Sequence, residues 1–247
     1  MSGCRVTYVG HATILIDLDG VRILTDPVLR ARVVHLRRIA PPVSAASLGQ
    51  VDAILLSHAH WDHLDLPSLR TFDRSVPVVA PRGLGALVRK LRFAEISEVD
   101  VGEKLKIGGV EVTATPAEHD GRRGPLGVSA PALGFVVRGS KRVYFAGDTD
   151  LFTDMEAIGG SLDLALLPVA GWGKKLGPGH LDAARAATAA SLLKPKVAVP
   201  IHWGTFRPVS ERGDAGHPET EFRDRAAKLA PQVDVRILAP GETLDLT

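Results

Sequence analysis

Two stretches of this chain follow one plan. TILIDLDGVRILTDPV (13–28) is an apolar run, a turn dipeptide, a second apolar run and a terminal Asp. GFVVRGSKRVYFAGDTD (134–150) is again strand, turn, strand and Asp. Asp19-Gly20 suits a two-residue hairpin, whose central positions need positive φ. VDAILLSHAH and LDLALLPVAG then follow as buried strands, and the matching segments lie roughly 110–120 residues apart, as internally related halves do. We therefore expect one domain over 1–247 with halves of about 1–120 and 121–247. Such strands, alternating with helical patterns, favour two sheets packed together with helices outside. Helices are predicted over GLGALVRKLRF and HLDAARAATAASLL, with a further helix start at Asp65-Leu66-Pro67. Residues 28–50 read as a basic, Pro-containing connection.

The chemistry is concentrated in SHAHWDHLDLPSL, which places three of the nine histidines and two aspartates within positions 58–65. The run leaves a strand, where residues two apart share a face, so His58 and His60 can hold one ion together. As the chain turns into a helix, Asp62 and His63 reach the same cavity at another angle. Two ions accommodate the four side chains better than one. Imidazole and carboxylate without thiolate suit Zn²⁺ first, and also Mn²⁺ or Fe. A solvated polar loop is the bland alternative. It weakens once later strands are seen to end in strong ligands as well: His119 after EVTATPAE, Asp148 after RVYFAG, His202 after KVAVPI.

HAHWDH followed by His119, Asp148 and His202, in that order, resembles the metallo-β-lactamase superfamily of hydrolases over almost the whole chain. The resemblance implies an α+β fold, a four-layer αββα sandwich of two mixed sheets flanked by helices, with metals at one sheet edge. It implies that His58, His60 and His119 hold one ion, that Asp62, His63 and His202 hold a second, and that Asp148 bridges them. GHAT, LTDP, DHLD and IHWGTF are further similar to the branch of N-acylphosphatidylethanolamine phospholipase D-like and ascorbate-6-phosphate lactonase-like proteins. The chain lacks the longer N-terminal extension of membrane-active members, which argues against a lipid substrate.

The implied activity is hydrolysis of an ester, lactone or phosphodiester bond by a metal-bridged hydroxide. Asp62 doubles as a ligand and a group that orients the nucleophile. His180, in GPGHLDAARA, is expected to steer substrate or protonate the leaving group, and related members carry a His before this helix. Its place at a helix N-terminus should favour the neutral form. His11 and Asp26 are expected behind the ligands, orienting them. Arg122, Arg123 and Lys174, with the arginines at 30, 32, 37 and 38, should ring the cleft and favour a small anionic substrate. Trp203 is expected at the pocket wall, with Trp61 and Trp172. His35 and His217 carry no site argument.

Thirty basic and 28 acidic residues leave a net charge of +2, too slight to argue for nucleic acid. No run of 18 apolar residues exists for membrane insertion, and the start shows no basic-then-apolar leader. Cys4, the single cysteine, permits no internal disulfide, so a cytoplasmic protein is expected. A homo-oligomer is compatible with all of this. The rival functions are a nuclease of the same superfamily, a mononuclear iron dioxygenase sharing HxHxDH, and a non-catalytic binding protein.

Overall fold

The computed structural model describes residues 3–124, 127–171, 176–211 and 216–246. Its first sheet contains β1 (Cys4–Gly10), β2 (Thr13–Leu18), β3 (Val21–Thr25), β6 (Ala53–Leu55), β7 (Val78–Pro81), β8 (Ile96–Val99) and β17 (Thr243–Leu246). The second contains β9 (Lys104–Ile107), β10 (Val110–Pro116), β11 (Leu133–Arg138), β12 (Arg142–Phe145), β13 (Leu164–Pro168), β14 (Val197–Ile201) and β16 (Asp234–Val235). Their spatial orders are β17-β1-β2-β3-β6-β7-β8 and β9-β10-β11-β12-β13-β14-β16. Sense for sense the two orders agree. In each, three antiparallel pairings are followed by three parallel ones.

Strand periodicity decides which side chains meet. Ile14 and Ile16 of the first sheet join Phe135, Val137, Leu164 and Leu166 of the second in one buried core between the sheets. Leu15 and Leu24 point the other way, onto α1 (Ala45–Leu48), α2 (Leu66–Leu69) and α3 (Gly85–Arg89). Val136, Ala165 and Leu167 pack on α4 (Met155–Ile158), α5 (Ala183–Leu193) and α6 (Pro218–Leu229). The layers are therefore helix, sheet, sheet, helix. Among the described residues no helix is long and apolar enough to cross a membrane.

Local signals are met closely at two turns. Asp19 and Gly20 take φ of 54° and 83°, the doubly positive hairpin turn. Asp65 caps α2 by accepting from the Ser68 backbone N–H, with Pro67 in the first turn. The helix expected over 83–93 is shorter than its pattern, ending at Arg89 before Arg92 turns left-handed at φ 62°. Residues 28–50 are more than a connection. They contain β4 (Arg32–Val33) and β5 (Leu36–Arg38), a hairpin that pairs with β15 (Phe206–Pro208) in a small third sheet. Val28, Val33, Leu36 and Phe206 form its core.

Candidate metal centre

His11, Asp26, His58, His119, Asp148 and His202 all follow the C-terminal ends of strands that run in one sense, so one edge of the sandwich collects them. The backbone bends sharply to deliver them: His11, Asp26 and His202 adopt φ of 60°, 35° and 65°, and Gly147, before Asp148, adopts 62°. Non-glycine residues held in that region are costly and cluster at functional sites. The ligand atoms of His58, His60, His119 and Asp148 lie within 4.8 Å of one another, and so do those of His11, Asp62, His63 and His202. Asp148 reaches across, with Oδ1 3.2 Å from His202 Nε2 and Oδ2 3.2 Å from His63 Nε2.

Four imidazoles have their outer nitrogens occupied. His202 Nδ1 lies 2.6 Å from the Ala170 carbonyl, and His119 Nδ1 lies 2.7 Å from the Gly179 carbonyl. His63 Nδ1 is 2.8 Å from Asp26 Oδ2. Ser57 Oγ gives its hydrogen to the same Asp26 at 2.5 Å and so accepts from His58 Nδ1 at 2.9 Å. These partners fix the tautomers, because a carbonyl or carboxylate can only accept. In the neutral rings the Nε2 lone pairs are left facing inward. His63 Nε2 and His202 Nε2 stand 3.2 Å apart, and His119 Nε2 stands 3.1 Å from His60 Nδ1. Lone pairs at that separation repel unless a cation, proton or metal, lies between them. His58 Nε2 and Asp148 Oδ1 are buried without a hydrogen-bond partner, an expensive condition for polar atoms. The donor set fits divalent metal ions: neutral nitrogens and carboxylates, converging, orphaned, with their outer atoms already braced.

The electrostatics of His58, His60, His119 and His202 favour ligation, and those of His63 favour the protonated ring. Burial, reinforced by neighbouring histidines, holds His58 well below the ordinary imidazole range, and burial also lowers His60 and His119. It brings His202 down to about 3. Neutral imidazole is the form a metal takes. Burial opposes the charge on His63 too, but Asp148, Asp26 and Asp62 outweigh it and hold its pKa well above the usual value. Asp148 stays well below the carboxylate range despite burial, because His202 and His63 face it.

The remaining predicted residues divide. His11 Nε2 lies 3.0 Å from Asp62 Oδ2, and the Asp26 carboxylate also accepts from the Ser57 backbone N–H at 2.7 Å. His180 Nε2 lies 3.4 Å from Asp148 Oδ2, but not at a helix N-terminus. The cap of α5 is Asp182, two residues later, and His180 is raised rather than lowered, since the Asp148 hydrogen bond and charge overcome burial. Arg123 does not line the cavity over the metal edge. It is 8% exposed, and its Nη1 donates to the carbonyls of Ala59 at 2.6 Å and Leu64 at 2.8 Å. Trp203 is spent on the core side, stacked on Tyr8 and donating from Nε1 to the Pro200 carbonyl. Arg30 forks onto Asp65, and Arg122 is exposed. Lys174 and Trp172 lie outside the described residues. Ser57 and His35 were missed: Ser57 links Asp26 to His58, and His35 lines the cavity over the metal edge. Ser57 had a signal in its place before HxHxDH; His35 had none.

Two packed sheets with a His/Asp cluster at their common edge define the metallo-β-lactamase fold. The profile of the β-lactamase superfamily domain matches residues 21–203. A UPF0173 metal-dependent hydrolase of Methanopyrus kandleri is 32% identical, with the match covering 98% of this chain and 99% of that protein. The solved structure of Igni18, a metallo hydrolase from Ignicoccus hospitalis, has a TM-score of 0.76 at 27% identity, covering 100% of this chain and 99% of that one. CmlA, a diiron β-hydroxylase from Streptomyces venezuelae, shares the fold at TM-score 0.76 and 22% identity, over 100% of this chain and 55% of its own. The chain belongs to the UPF0173 metal-dependent hydrolase family of the metallo-β-lactamase superfamily.

Proposed function

We propose that this protein is a dinuclear metal-dependent hydrolase, zinc being the first choice of ion, that cleaves an ester, lactone or phosphodiester bond in a small molecule. His58, His60 and His119 would hold one ion, Asp62, His63 and His202 the other, and Asp148 both. The observation that carries this is two pairs of facing imidazole nitrogens, 3.2 Å and 3.1 Å apart, both within reach of the Asp148 carboxylate. Two divalent ions bound there supply the Lewis acidity that ionises water near neutral pH and polarises the scissile C=O or P=O. The protein's own residues do the rest. His11 steadies Asp62, Asp26 and Ser57 set the faces of His63 and His58, and His180 stands beside Asp148 where it can hand a proton to a leaving group. The GHAT, LTDP, DHLD and IHWGTF segments support a place near the phospholipase D-like and lactonase-like branch.

Elemental analysis of purified, remetallated protein tests the reading, with close to two ions per chain expected. One iron and no second ion would replace the hydrolase by a mononuclear dioxygenase. Asp148→Ala should lose metal and hydrolysis together while circular dichroism stays unchanged, and retention of both ions with full turnover would refute the ligand set.

A further inference from the structure

A cavity of about 220 Å³ opens beside the metal edge. Asp148 and His180 line it, and Val33, Val34 and Leu36 of the β4–β5 hairpin form an apolar wall with Trp61. His35 completes that wall. The hairpin tip is unusual on two counts. Val34 is 59% exposed, and its φ is 48°. A β-branched residue in the left-handed region is a genuine outlier, and a two-residue hairpin loop takes Asn or Gly there far more readily. Strain of this kind, at a ligand-facing loop, is a pointer to function. Trp61 is 49% exposed, yet fixed in place by the Arg123 guanidinium stacked 3.7 Å from its ring. It therefore offers a rigid apolar plate.

Among the described residues no lysine or arginine lines this wall. Arg32 and Arg37 are exposed, Arg30 is held by Asp65, and Arg38 lies over Phe206 without lining the cavity. We propose that the substrate carries a short, neutral, apolar group beside the scissile bond, and that the β4–β5 hairpin and Trp61 receive it. This rests on the hydrolytic reading above.

The test uses zinc-loaded protein with p-nitrophenyl acetate, propionate, butyrate and hexanoate. Burial of each methylene predicts a rise in kcat/KM of about fourfold per carbon, levelling once the cavity is filled. Calorimetric titration with acetamide, butyramide and hexanamide reads the same pocket without turnover, and affinity should climb in parallel. Val34→Asn, with Val34→Gly as a second replacement, should keep or raise the melting temperature. In both variants the rise along each series should collapse to less than twofold. A flat series in the parent or an unaltered slope in both variants would overturn the proposal. Amide binding that follows chain length without hydrolysis of any ester would instead count against the hydrolytic reading and leave the apolar pocket standing.

Discussion

Arg123 holds the ligand loop from behind, and Arg123→Met measures how much that matters. The Met stem retains most of the packing but removes the two bonds to Ala59 and Leu64 and the stacking on Trp61. A hydrogen bond from a charged donor contributes about 1.5–3 kcal/mol, and a partly exposed cation–π contact about 0.5–1 kcal/mol. Against them stands the cost of burying the guanidinium, which lowers its pKa despite the pull of Asp65 and Asp62. The net loss should be about 2–4 kcal/mol. It falls on residues 59–64, because two buried carbonyls lose their donor. That segment carries His60, Asp62 and His63, so part of the cost appears when ions must order it. Zinc affinity should fall by about 30- to 1,000-fold if the whole cost is felt there, and the urea midpoint should drop to the extent that it is felt in folding. Competition against a chromophoric chelator and urea denaturation of the metal-free protein read the two shares. Arg122→Met, at an exposed neighbour, is the control and should change neither. Zinc affinity within threefold of the parent together with an unmoved urea midpoint would refute the clamp.

Two further outcomes follow from the same geometry. His180→Ala should keep its ions and its melting temperature, while kcat falls by something like 10²–10⁴ as for other lost acid–base groups; loss of metal would make His180 a ligand. Cys4 is buried, and burial first, with Asp163 and Asp19 behind it, raises its thiol from 9.0 to about 12. The folded protein therefore keeps the proton that the unfolded chain releases above pH 9. Stability is full below that pH and falls above it by up to about 1.4 kcal/mol per pH unit. Urea midpoints for Cys4→Ala should decline less steeply between pH 9 and 10 than those of the parent, and equal slopes would show that the thiol ionises alike in both states.

The strand ends and the candidate ligands beyond them are legible in the sequence because both are local. Residues 58–63 combine a strand's two-residue alternation with a turn into α2, and that alone carries four inward side chains to one edge. His119, Asp148 and His202 each stand just beyond a strand-like run, and it is their shared place, together with the resemblance, that singles them out. Two sheets with helices outside are legible in strands that alternate with helical patterns, the four-layer sandwich is what the resemblance implies, and the structure turns Ile14 and Ile16 one way and Leu15 the other. What tertiary structure alone decided are pairings between segments distant in sequence. The β4–β5 hairpin exists because Leu36–Arg38 meets Phe206–Pro208, and no local signal in 28–50 announces that partner. Arg123 looked like a substrate cation until the fold laid it under Ala59 and Leu64. His180 looked like a helix N-terminal histidine until the Gly177–His180 turn was brought against Asp148, while the carbonyl beside it, on Gly179, braced His119. A charged side chain's role depends on which buried acceptors lie within a few ångströms of it, and that is set by packing between elements rather than by the residues on either side.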